Sequence, residues 1–419
     1  MSPTMTRWPE AAAPTTGPAG LPRLLATRPD LAGHLAVLGP LPPVGPEITV
    51  EVARAGLLGR GGAGFPTHRK LEAVATRRGP RVVVANGTEG EPLSAKDKTL
   101  LVHAPHLVLD GLDAAARAVR ASQRILCIER GDPAVYAAVR QALAERGDGG
   151  IEVVLTPHRY ITGQEAALVD FIDGGPGRPT LKRPFEAGVG GRPTLVDNVE
   201  TLAHLALIAR FGPDWYRQVG TAEHPGSALI TVGGAVSRPG VYEIAHGTPL
   251  QDVLGLAGAA RPRGVLLGGY FGRWLPAGTL AGLTLDWRAL ASRGASFGCG
   301  VIAVIDEDSC AIAELARVAT WYARSSAGQC GACTWGLRDL AAATSAIDSG
   351  TPDRRAAADI RRWTAMVKGR GACRLPDGAA AFLESGMEAF AEEIGEHQAG
   401  CCRRTDRHLL PTPAPEAWR

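Results

Sequence analysis

The 419-residue sequence contains no uninterrupted apolar run of the 18 or so residues that a membrane-spanning helix needs. It also lacks the apolar segment behind a basic start that marks a secretory signal. Excess charge of one sign is missing too, because 45 basic residues against 42 acidic residues leave a net charge of +3. That balance argues against a dedicated nucleic-acid surface. These absences predict a cytoplasmic protein.

The evenly spread cysteines of a disulfide framework are also absent. The chain has eight cysteines, and five of them follow Gly328. Such clustering indicates metal or redox chemistry rather than disulfide bonding. Cys127 lies in the apolar run 125–128 and is interpreted as a small buried hydrophobe. Cys299 and Cys310 are interpreted as structural.

Apolar periodicity predicts alternating helices and strands in the first half of the chain. Helices are expected at 48–55, 70–76, 105–119 and 133–146, and strands at 81–85, 125–128 and 151–155. Asp132 is placed to cap the helix at 133–146. This alternation predicts an α/β domain with a parallel sheet. Before it, residues 1–45 are rich in Pro, Ala and Thr and predict a partly disordered lead-in with one short helix near 21–38.

The second half of the chain shows two further patterns. β-branched runs broken by Gly-Gly and Pro-Gly turns at 228–242, followed by a helical piece at 249–257, predict a small β-rich module. Helical segments at 311–324, 334–347, 354–367 and 379–394 predict a bundle. The expected units are the lead-in 1–45, an α/β domain 46–220, the β-rich module 221–300, a helical domain 301–400 and a tail 401–419.

The stretch at 56–70, GLLGRGGAGFPTHRK, has four glycines between positions 59 and 66. Glycine adopts positive φ without steric cost, and successive exposed N–H groups form a nest for anions. Pro66 and Thr67 start a helix whose dipole would assist Arg60 and Lys70 in holding a negative group. The stretch is interpreted as a phosphate-binding turn, and the alternative is a glycine-rich surface turn.

Three later segments predict ligand contacts. The polar loop NGTEGEP at 86–92 follows the strand at 81–85, where open α/β sheets bind their ligands. A loop at 159–165, RYITGQE, opens a helix, and a Pro/Gly-rich stretch at 174–193 leads into 194–201. Long glycine-rich loops inside a compact domain are usually functional, although a surface excursion is the alternative.

The sequence CGAC at 330–333, with Cys373 further on, is a thiolate grouping typical of iron–sulfur sites. Soft sulfur ligands select iron, and one tight loop can supply two of them. Three ligands are therefore predicted from the residues: Cys330, Cys333 and Cys373.

Five motifs occur in order: GRGGAGFPTHRK, NGTEGEP, RYITGQEAAL, RPFEAGVGGRPTLVDNVETL and CGAC. Together they resemble the flavin-bearing, NADH-oxidising component of respiratory complex I (the F-subunit type) over roughly residues 48–400. They are also similar to the homologous subunits of NAD-dependent hydrogenases and formate dehydrogenases, and the first two resemble the NADH-binding subunit of Rnf-type complexes. The resemblance implies a Rossmann-like FMN- and NADH-binding domain, a ubiquitin-like β-grasp module of the soluble-ligand-binding (SLBB) type and a helical bundle that carries a 4Fe–4S cluster.

The resemblance also implies roles for individual residues. Glu91 would lie beside the nicotinamide as the catalytic-site carboxylate, and Cys330, Cys333 and Cys373 would bind the cluster. Phe65 and Phe185 match aromatic residues that stack on adenine, a role that depends on the family pattern because an isolated Phe is usually a core residue. The full set implied to bind FMN or the dinucleotide is Gly59, Arg60, Gly61, Gly62, Gly64, Phe65, Lys70, Asn86, Glu89, Tyr160, Gly163, Glu165, Phe185, Asn198 and Thr201.

Four positions depart from the complex I pattern. Thr88 replaces Asp, Gln164 replaces Glu and Asp197 replaces Asn, so the charge around the flavin and its potential are expected to differ. Ala327 replaces the first cluster cysteine, which leaves the cluster one ligand short.

The missing cluster ligand leaves three outcomes open. A fourth ligand could come from elsewhere, with Cys401 or Cys402 in the tail as candidates. The cluster could instead have an open or non-cysteine position, or be absent.

The resemblance implies an enzyme, a flavin-dependent NADH dehydrogenase. Hydride would pass from NADH to FMN, and electrons would then pass through the iron–sulfur cluster to a separate ferredoxin-like or thioredoxin-like 2Fe–2S protein. Such a chain would be cytoplasmic or docked on the cytoplasmic face of a membrane complex. The rival hypothesis is a non-catalytic assembly protein that kept the fold and lost the chemistry, and flavin content separates the two.

Overall fold

The computed structural model describes residues 20–350 and 355–417. Residues 1–19 of the predicted lead-in 1–45 lie outside the described residues. Of the helix expected near 21–38 only Leu31–Leu38 is helical, since Asp30 caps it by accepting a hydrogen bond from the Gly33 N–H at 2.8 Å. The helices of the described residues are α1 (Leu31–Leu38), α2 (Ile48–Ala55), α3 (Thr67–Ala75), α4 (Lys96–His103), α5 (Pro105–Val119), α6 (Pro133–Arg146), α7 (Glu165–Ile172), α8 (Pro184–Ala187), α9 (Val199–Tyr216), α10 (Leu250–Ala257), α11 (Trp287–Ser292), α12 (Ala311–Arg324), α13 (Leu337–Asp348), α14 (Ala356–Val367), α15 (Leu375–Ala389) and α16 (Ala391–Gln398).

The first sheet is parallel, as predicted. Its strands are β1 (Arg81–Gly87), β2 (Ala121–Glu129), β3 (Ile151–Thr156) and β4 (Thr194–Asn198), in the spatial order β3-β2-β1-β4. Four successive β1 residues, 82–85, are fully buried because helices cover both faces, the usual condition of a parallel sheet. The strand order reverses between β1 and β4, as in the Rossmann fold.

Local signals fix the helices around this sheet. The predicted bounds of α2, α5 and α6 agree with the structure. The expected cap of α6 is present, because the Asp132 carboxylate accepts a hydrogen bond from the Val135 N–H at 3.2 Å. These elements confirm the α/β prediction for this part of the chain.

The second sheet is mixed. It contains β5 (Ser227–Gly234), β6 (Gly240–Ala245), β7 (Pro262–Leu267), β8 (Arg273–Pro276) and β9 (Val301–Asp306), in the order β6-β5-β9-β7-β8. The pairing of β5 with the central strand β9 is parallel, and the other three pairings are antiparallel. This is the β-grasp arrangement that the family resemblance implies. The predicted boundary at residue 300 falls just before β9, the central strand.

The C-terminal region is helical, with α12 to α16 packed around a core that includes Leu315, Tyr322 and Phe382. The helix predicted at 379–394 is two helices, because the chain leaves the helical path at Phe390 between α15 and α16. After α16 the tail runs back over the bundle. There the Glu314 carboxylate accepts hydrogen bonds from the N–H groups of Leu409 (2.8 Å) and Leu410 (3.0 Å).

Within the described part of the chain, no helix combines the length and the apolar character needed to cross a lipid bilayer.

Candidate functional site

A cavity of about 1020 Å³ lies where the two sheets and the helical bundle meet. Its floor is the point at which the strand order of the first sheet reverses, the usual ligand position of such folds. Asn86 at the end of β1 and Asn198 at the end of β4 are register partners and both line the cavity. The topology therefore brings together the predicted loops at 86–92 and 159–165 with Asn198 of the segment 194–201. No residue of the Pro/Gly-rich stretch 174–193 is among the described lining residues.

The glycine turn forms one wall of the cavity through Gly61 and Gly62. Gly62 has a φ of +106°, which L side chains rarely adopt. Two other glycines shape the turn. The Gly59 N–H donates to the Phe65 carbonyl at 2.9 Å, and a Cβ on Gly64 would lie 2.7 Å from the Trp287 indole. Backbone therefore faces the cavity at residues 61 and 62.

The two cations predicted to help hold a phosphate are engaged by the protein itself. The Arg60 guanidinium donates to the Tyr216 hydroxyl and to the Ser227 carbonyl, both at 3.0 Å. The Lys70 ammonium lies 2.8 Å from Glu165 and 3.4 Å from Asp197. Burial alone would lower the pKa of Lys70, but these carboxylates raise it above its usual value. Arg60 nevertheless lines the cavity, whereas Lys70 does not.

Sequence reasoning missed Lys96, which lies buried on the cavity wall. Its ammonium contacts Asp97 at 2.7 Å and Glu200 at 2.8 Å and lies 3.4 Å from the Asn198 side-chain oxygen. The available signal was the Lys-Asp-Lys sequence at 96–98, which begins a helix separated from the polar loop by three residues. Lys96 is a positive charge on the cavity side of the strand ends.

The Glu89 carboxylate lines the cavity and also caps the N-terminus of α4. It accepts hydrogen bonds from the N–H groups of Asp97 (3.1 Å) and Lys98 (3.0 Å) and from the Ser94 hydroxyl. Burial, together with the neighbouring Asp97 carboxylate, raises the pKa of Glu89. Its oxygens hold the helix start in place, so its predicted hydrogen bond to a flavin would share these atoms.

Glu91, two residues further along the same loop, is also buried and lines the cavity. Both of its oxygens lie 3.2 Å from the Tyr270 N–H, which donates to them. Burial raises the pKa of Glu91 to about 8, and Glu89 adds to this effect. At neutral pH the group is therefore mostly a neutral carboxylic acid that can donate as well as accept a hydrogen bond.

The loop at 159–165 covers another side of the cavity through Tyr160, Gly163 and Glu165. The Tyr160 ring stacks on Phe271, with centroids 4.2 Å apart and planes 5° apart. Asn86 donates to the Gly163 carbonyl at 2.9 Å, which ties this loop to the end of β1.

The positions that depart from the family pattern have local partners. The Gln164 side chain caps α7 by accepting from the Ala167 N–H at 2.9 Å. Thr88 lies 3.3 Å from the Thr156 hydroxyl, and Asp197 is buried beside Lys70. The substitutions therefore fit the surrounding structure.

Four of the predicted cofactor-binding side chains lie off the cavity wall, and Lys70 is one of them. Gly59 and Gly64 are also not among the lining residues. Phe65 is 48% exposed, and Phe185 packs on the core beside β4 with the Arg77 guanidinium 5.4 Å from its ring centre. Thr201 is buried and accepts a hydrogen bond from the Arg60 N–H at 2.8 Å, which anchors the glycine turn. The adenine role of the two Phe residues stays a prediction.

The thiols of Cys330, Cys333 and Cys373 converge after the end of α12. Burial would raise the pKa of Cys330, but hydrogen bonds from the backbone N–H groups of Ala372 and Cys333 hold it below its usual value. Burial raises the pKa of Cys333 to about 12 and also raises that of Cys373. Cys333 lies in a short π-helix, Ala332–Gly336, a geometry frequent at functional sites. Three convergent thiols fit an iron–sulfur cluster.

The position at which the family has its fourth cluster ligand lies near residues 326 and 327. Ala327 is buried and its methyl group offers no ligand atom, whereas the Ser326 hydroxyl is hydrogen-bonded to the Cys333 thiol. Cys373 also lines the main cavity. The thiol group and the glycine turn therefore lie beside the same cavity.

The tail cysteines expected as substitute ligands lie elsewhere. Cys402 faces Cys310, the residue that precedes α12, whereas Cys330 follows the end of this helix. A 14-residue helix is about 20 Å long, so Cys402 is far from the three thiols. Cys401 is exposed near the same end of α12, with its thiol 3.5 Å from the Glu396 carbonyl. The expectation that Cys401 or Cys402 supplies the fourth ligand is corrected by this placement.

A Rossmann-type sheet, a β-grasp sheet and a thiol-bearing helical bundle around one cavity define a class of nucleotide-cofactor redox proteins. Comparison with known proteins specifies the class. Residues 52–207 match the Nuo51 FMN-binding domain, residues 229–268 the SLBB domain, and residues 313–397 the NADH-ubiquinone oxidoreductase-F iron-sulfur binding region.

Whole-chain relatives agree with these matches. The chain is 32% identical to the F subunit of NADH-quinone oxidoreductase from Streptomyces coelicolor, over 84% of this chain and 83% of that protein. It is 30% identical to the F 2 subunit of NADH-quinone oxidoreductase from Rhizobium meliloti, over 89% and 94% of the two chains. The chain therefore belongs to the family of NADH-quinone oxidoreductase F subunits.

A solved structure has the same architecture. A chain of an NAD+-reducing NiFe hydrogenase in the H2-reduced state superimposes with a TM-score of 0.77 at 30% identity. The match covers 88% of this chain and 64% of the hydrogenase chain, so this chain spans slightly less than two thirds of that protein.

Proposed function

We propose that this chain is the flavin-dependent NADH dehydrogenase component of a larger assembly, which takes hydride from NADH and passes electrons to a partner protein. One observation carries the proposal: a single cavity is lined both by the glycine turn at Gly61 and Gly62 and by Cys373 of the thiol group. A flavin and its dinucleotide donor in that cavity would lie beside an iron–sulfur cluster. Membership of the F-subunit family supports the same activity.

Each part of the cavity has a distinct task in this proposal. Bound FMN supplies the conversion of a two-electron hydride donor into single-electron transfers. The open backbone of Gly61 and Gly62 admits a phosphate, and the neutral Glu91 carboxyl offers a donor and an acceptor to the nicotinamide amide. The stacked Tyr160 and Phe271 rings exclude water from one side.

An anaerobic purification followed by flavin and iron counts tests this function. We expect stoichiometric FMN, bound iron and sulfide, and flavin bleaching on addition of NADH. A flavin-free protein that stays flavin-free after incubation with FMN would instead support the non-catalytic assembly role.

The glycine turn gives a sharper prediction. Gly61→Ala should weaken FMN binding about tenfold or more, about 1.4 kcal/mol, because the methyl group enters the cavity. The fold should survive, since the new Cβ would lie 3.6 Å from the Cβ of Asn198, an ordinary contact. Gly62→Val should also lose FMN because of its φ of +106°. The measurement is fluorescence titration of the apoprotein with FMN.

The matched control is Gly278→Ala. Gly278 lies outside the cavity and has open space around it. Unchanged FMN affinity in the Gly61 and Gly62 variants would contradict the phosphate-binding interpretation of the turn. Gly64→Val is less informative, because its side chain collides with Trp287 and disturbs packing.

The partner is proposed to be a one-electron iron–sulfur protein of the ferredoxin-like or thioredoxin-like 2Fe–2S type. Trp335 supports an exit route near the thiol group, since it is 66% exposed and lies two residues after Cys333. A cytoplasmic location, free or docked on a membrane complex, is supported by the eight cysteines, which are all unpaired thiols.

A further inference from the structure

A second group of metal-binding side chains lies at the other end of α12 from the three thiols. It consists of Cys310, Glu393, His397 and Cys402, whose ligand atoms all lie within 4.8 Å of one another. The first three residues are buried and Cys402 is partly buried. They come from three segments: the residue before α12, the helix α16 and the tail.

The histidine of this group is oriented as metal-binding histidines are. His397 Nδ1 lies 3.0 Å from the Asp348 carbonyl, which accepts a hydrogen bond from a protonated Nδ1. That bond leaves Nε2 with its lone pair, and Nε2 lies 3.2 Å from the Cys310 sulfur. A backbone carbonyl on the second ring nitrogen is the usual way to fix the tautomer of a ligating imidazole.

The charged side chains in and around the group also favour the binding of a cation by anionic ligands. The Glu393 carboxylate accepts from the Ala311 N–H at 3.0 Å and lies 2.5 Å from the Arg263 guanidinium. Its Oε1 atom lies 4.0 Å from the Cys402 sulfur. Two thiolates and one carboxylate around a divalent ion leave one net negative charge, which Arg263 offsets.

We propose that these four side chains form a structural zinc site, distinct from the iron–sulfur site of the family. Zn²⁺ favours four tetrahedral sulfur, nitrogen and oxygen ligands, and sites with four protein ligands are structural. Bond lengths of about 2.0–2.3 Å give tetrahedral edges of roughly 3.3–3.8 Å, so the present separations of up to 4.8 Å need only small side-chain movements to close around the ion.

The zinc site would anchor the start of the C-terminal tail to the helical bundle. After Cys402 the tail pairs with Ser309 through Thr405 and reaches Tyr270, whose hydroxyl donates to the Pro411 carbonyl at 2.7 Å. Further on, the Arg159 guanidinium donates to the Glu416 carbonyl at 2.8 Å. Arg159 precedes Tyr160 on the cavity wall, so the zinc site holds a segment that runs from the bundle to the cavity.

Metal analysis of the full chain, purified anaerobically and then incubated with Zn²⁺ and desalted, tests the proposal. We expect about one Zn²⁺ per chain. Co²⁺ in its place should give the thiolate charge-transfer and d–d absorption of a tetrahedral site. Zinc should be lost in Cys310→Ala and in the milder Cys402→Ser, which changes one partly exposed atom of the tail.

Two controls separate this site from other thiols. Cys401→Ala removes the adjacent exposed thiol and should retain zinc, and Cys333→Ala removes a cluster thiol and should also retain it. Zinc should raise the melting temperature of wild-type protein but not of Cys402→Ser. Wild-type protein without zinc or a tetrahedral Co²⁺ spectrum would overturn the proposal, and so would zinc that survives Cys402→Ser but is lost in Cys401→Ala.

Discussion

Cys333→Ala is expected to remove bound iron and sulfide from the protein completely. Cys333 is the most buried of the three convergent thiols and is hydrogen-bonded to both Cys330 and Ser326. A site that already has Ala at the fourth family position has no spare ligand, so the loss of one thiolate leaves two. Iron and sulfide counts after anaerobic reconstitution measure the effect. Flavin content should be unchanged, because Cys333 does not line the cavity.

The complementary variant is Ala327→Cys, which restores the family pattern. It should raise iron occupancy and slow cluster loss in air, since a fourth thiolate supplies the missing ligand. Ser326→Ala tests whether the Ser326 hydroxyl oxygen is the fourth cluster ligand. A lower iron content in this variant would identify that oxygen as the ligand, and an unchanged iron content would indicate that the fourth position has no protein ligand. Iron-free wild-type protein with no gain from Ala327→Cys would contradict a cluster at this site.

Local sequence signals predicted the elements of this fold well. The bounds of α2, α5, α6 and α12 follow from apolar periodicity and caps, all of which act within a few residues. The assignment of β9 to the second sheet could not be derived in this way. A six-residue apolar strand does not specify its partners, and β9 pairs with β5, about seventy residues earlier.

The candidate site likewise combines features that short sequence motifs predict with contacts between residues that are far apart in the sequence. Sequence motifs identified several of the segments that line the cavity, and topology brings them together. The motifs did not identify the lining segments 268–271 and 296–299 of the second sheet region, nor most of 369–378 in the helical region. The direction of the Arg60 side chain depends on Tyr216 and Ser227, which are 156 and 167 residues away. Likewise, the Cys310 and His397 pair spans 87 residues. Such contacts are set by tertiary packing, which a motif does not encode.

Burial raises the pKa of Glu91 to about 8, so flavin reduction is expected to depend on the protonation of this carboxyl group. Flavin reduction by NADH should slow as pH rises through 8, by about tenfold at pH 9, since the ionised carboxylate adds negative charge to a cavity that binds an anionic donor. Glu91→Gln imitates the neutral acid, so its rate should be close to wild type at pH 7 and should lack the decline. Stopped-flow reduction kinetics across pH 6–10 measure both profiles.

Glu89 lines the same cavity and burial also raises its pKa, but it is unchanged in Glu91→Gln, so the comparison of the two profiles isolates Glu91. Three further neighbours keep their protons in this window. Burial raises the pKa values of Tyr160, Tyr270 and Cys299 well above their usual values. A decline near pH 8 that persists in Glu91→Gln would contradict the assignment. A wild-type rate that increases above pH 8 would mean that the ionised carboxylate stabilises the positively charged nicotinamide product.

Stability gives an independent readout of the same group. The folded pKa of Glu91 exceeds its ordinary value of 4.5, so between pH 4.5 and 8 the folded state binds more protons than the unfolded state. The free energy of unfolding should therefore fall as pH rises through that window, by about 1.4 kcal/mol per pH unit at most, and level off above pH 8. Other buried carboxyls, such as Glu89 and Asp197, also have raised pKa values and keep their share of the slope. Glu91→Gln should therefore make the slope shallower and be the more stable protein at pH 8. Denaturant unfolding at several pH values compares the two, and parallel curves would show that Glu91 is ionised throughout.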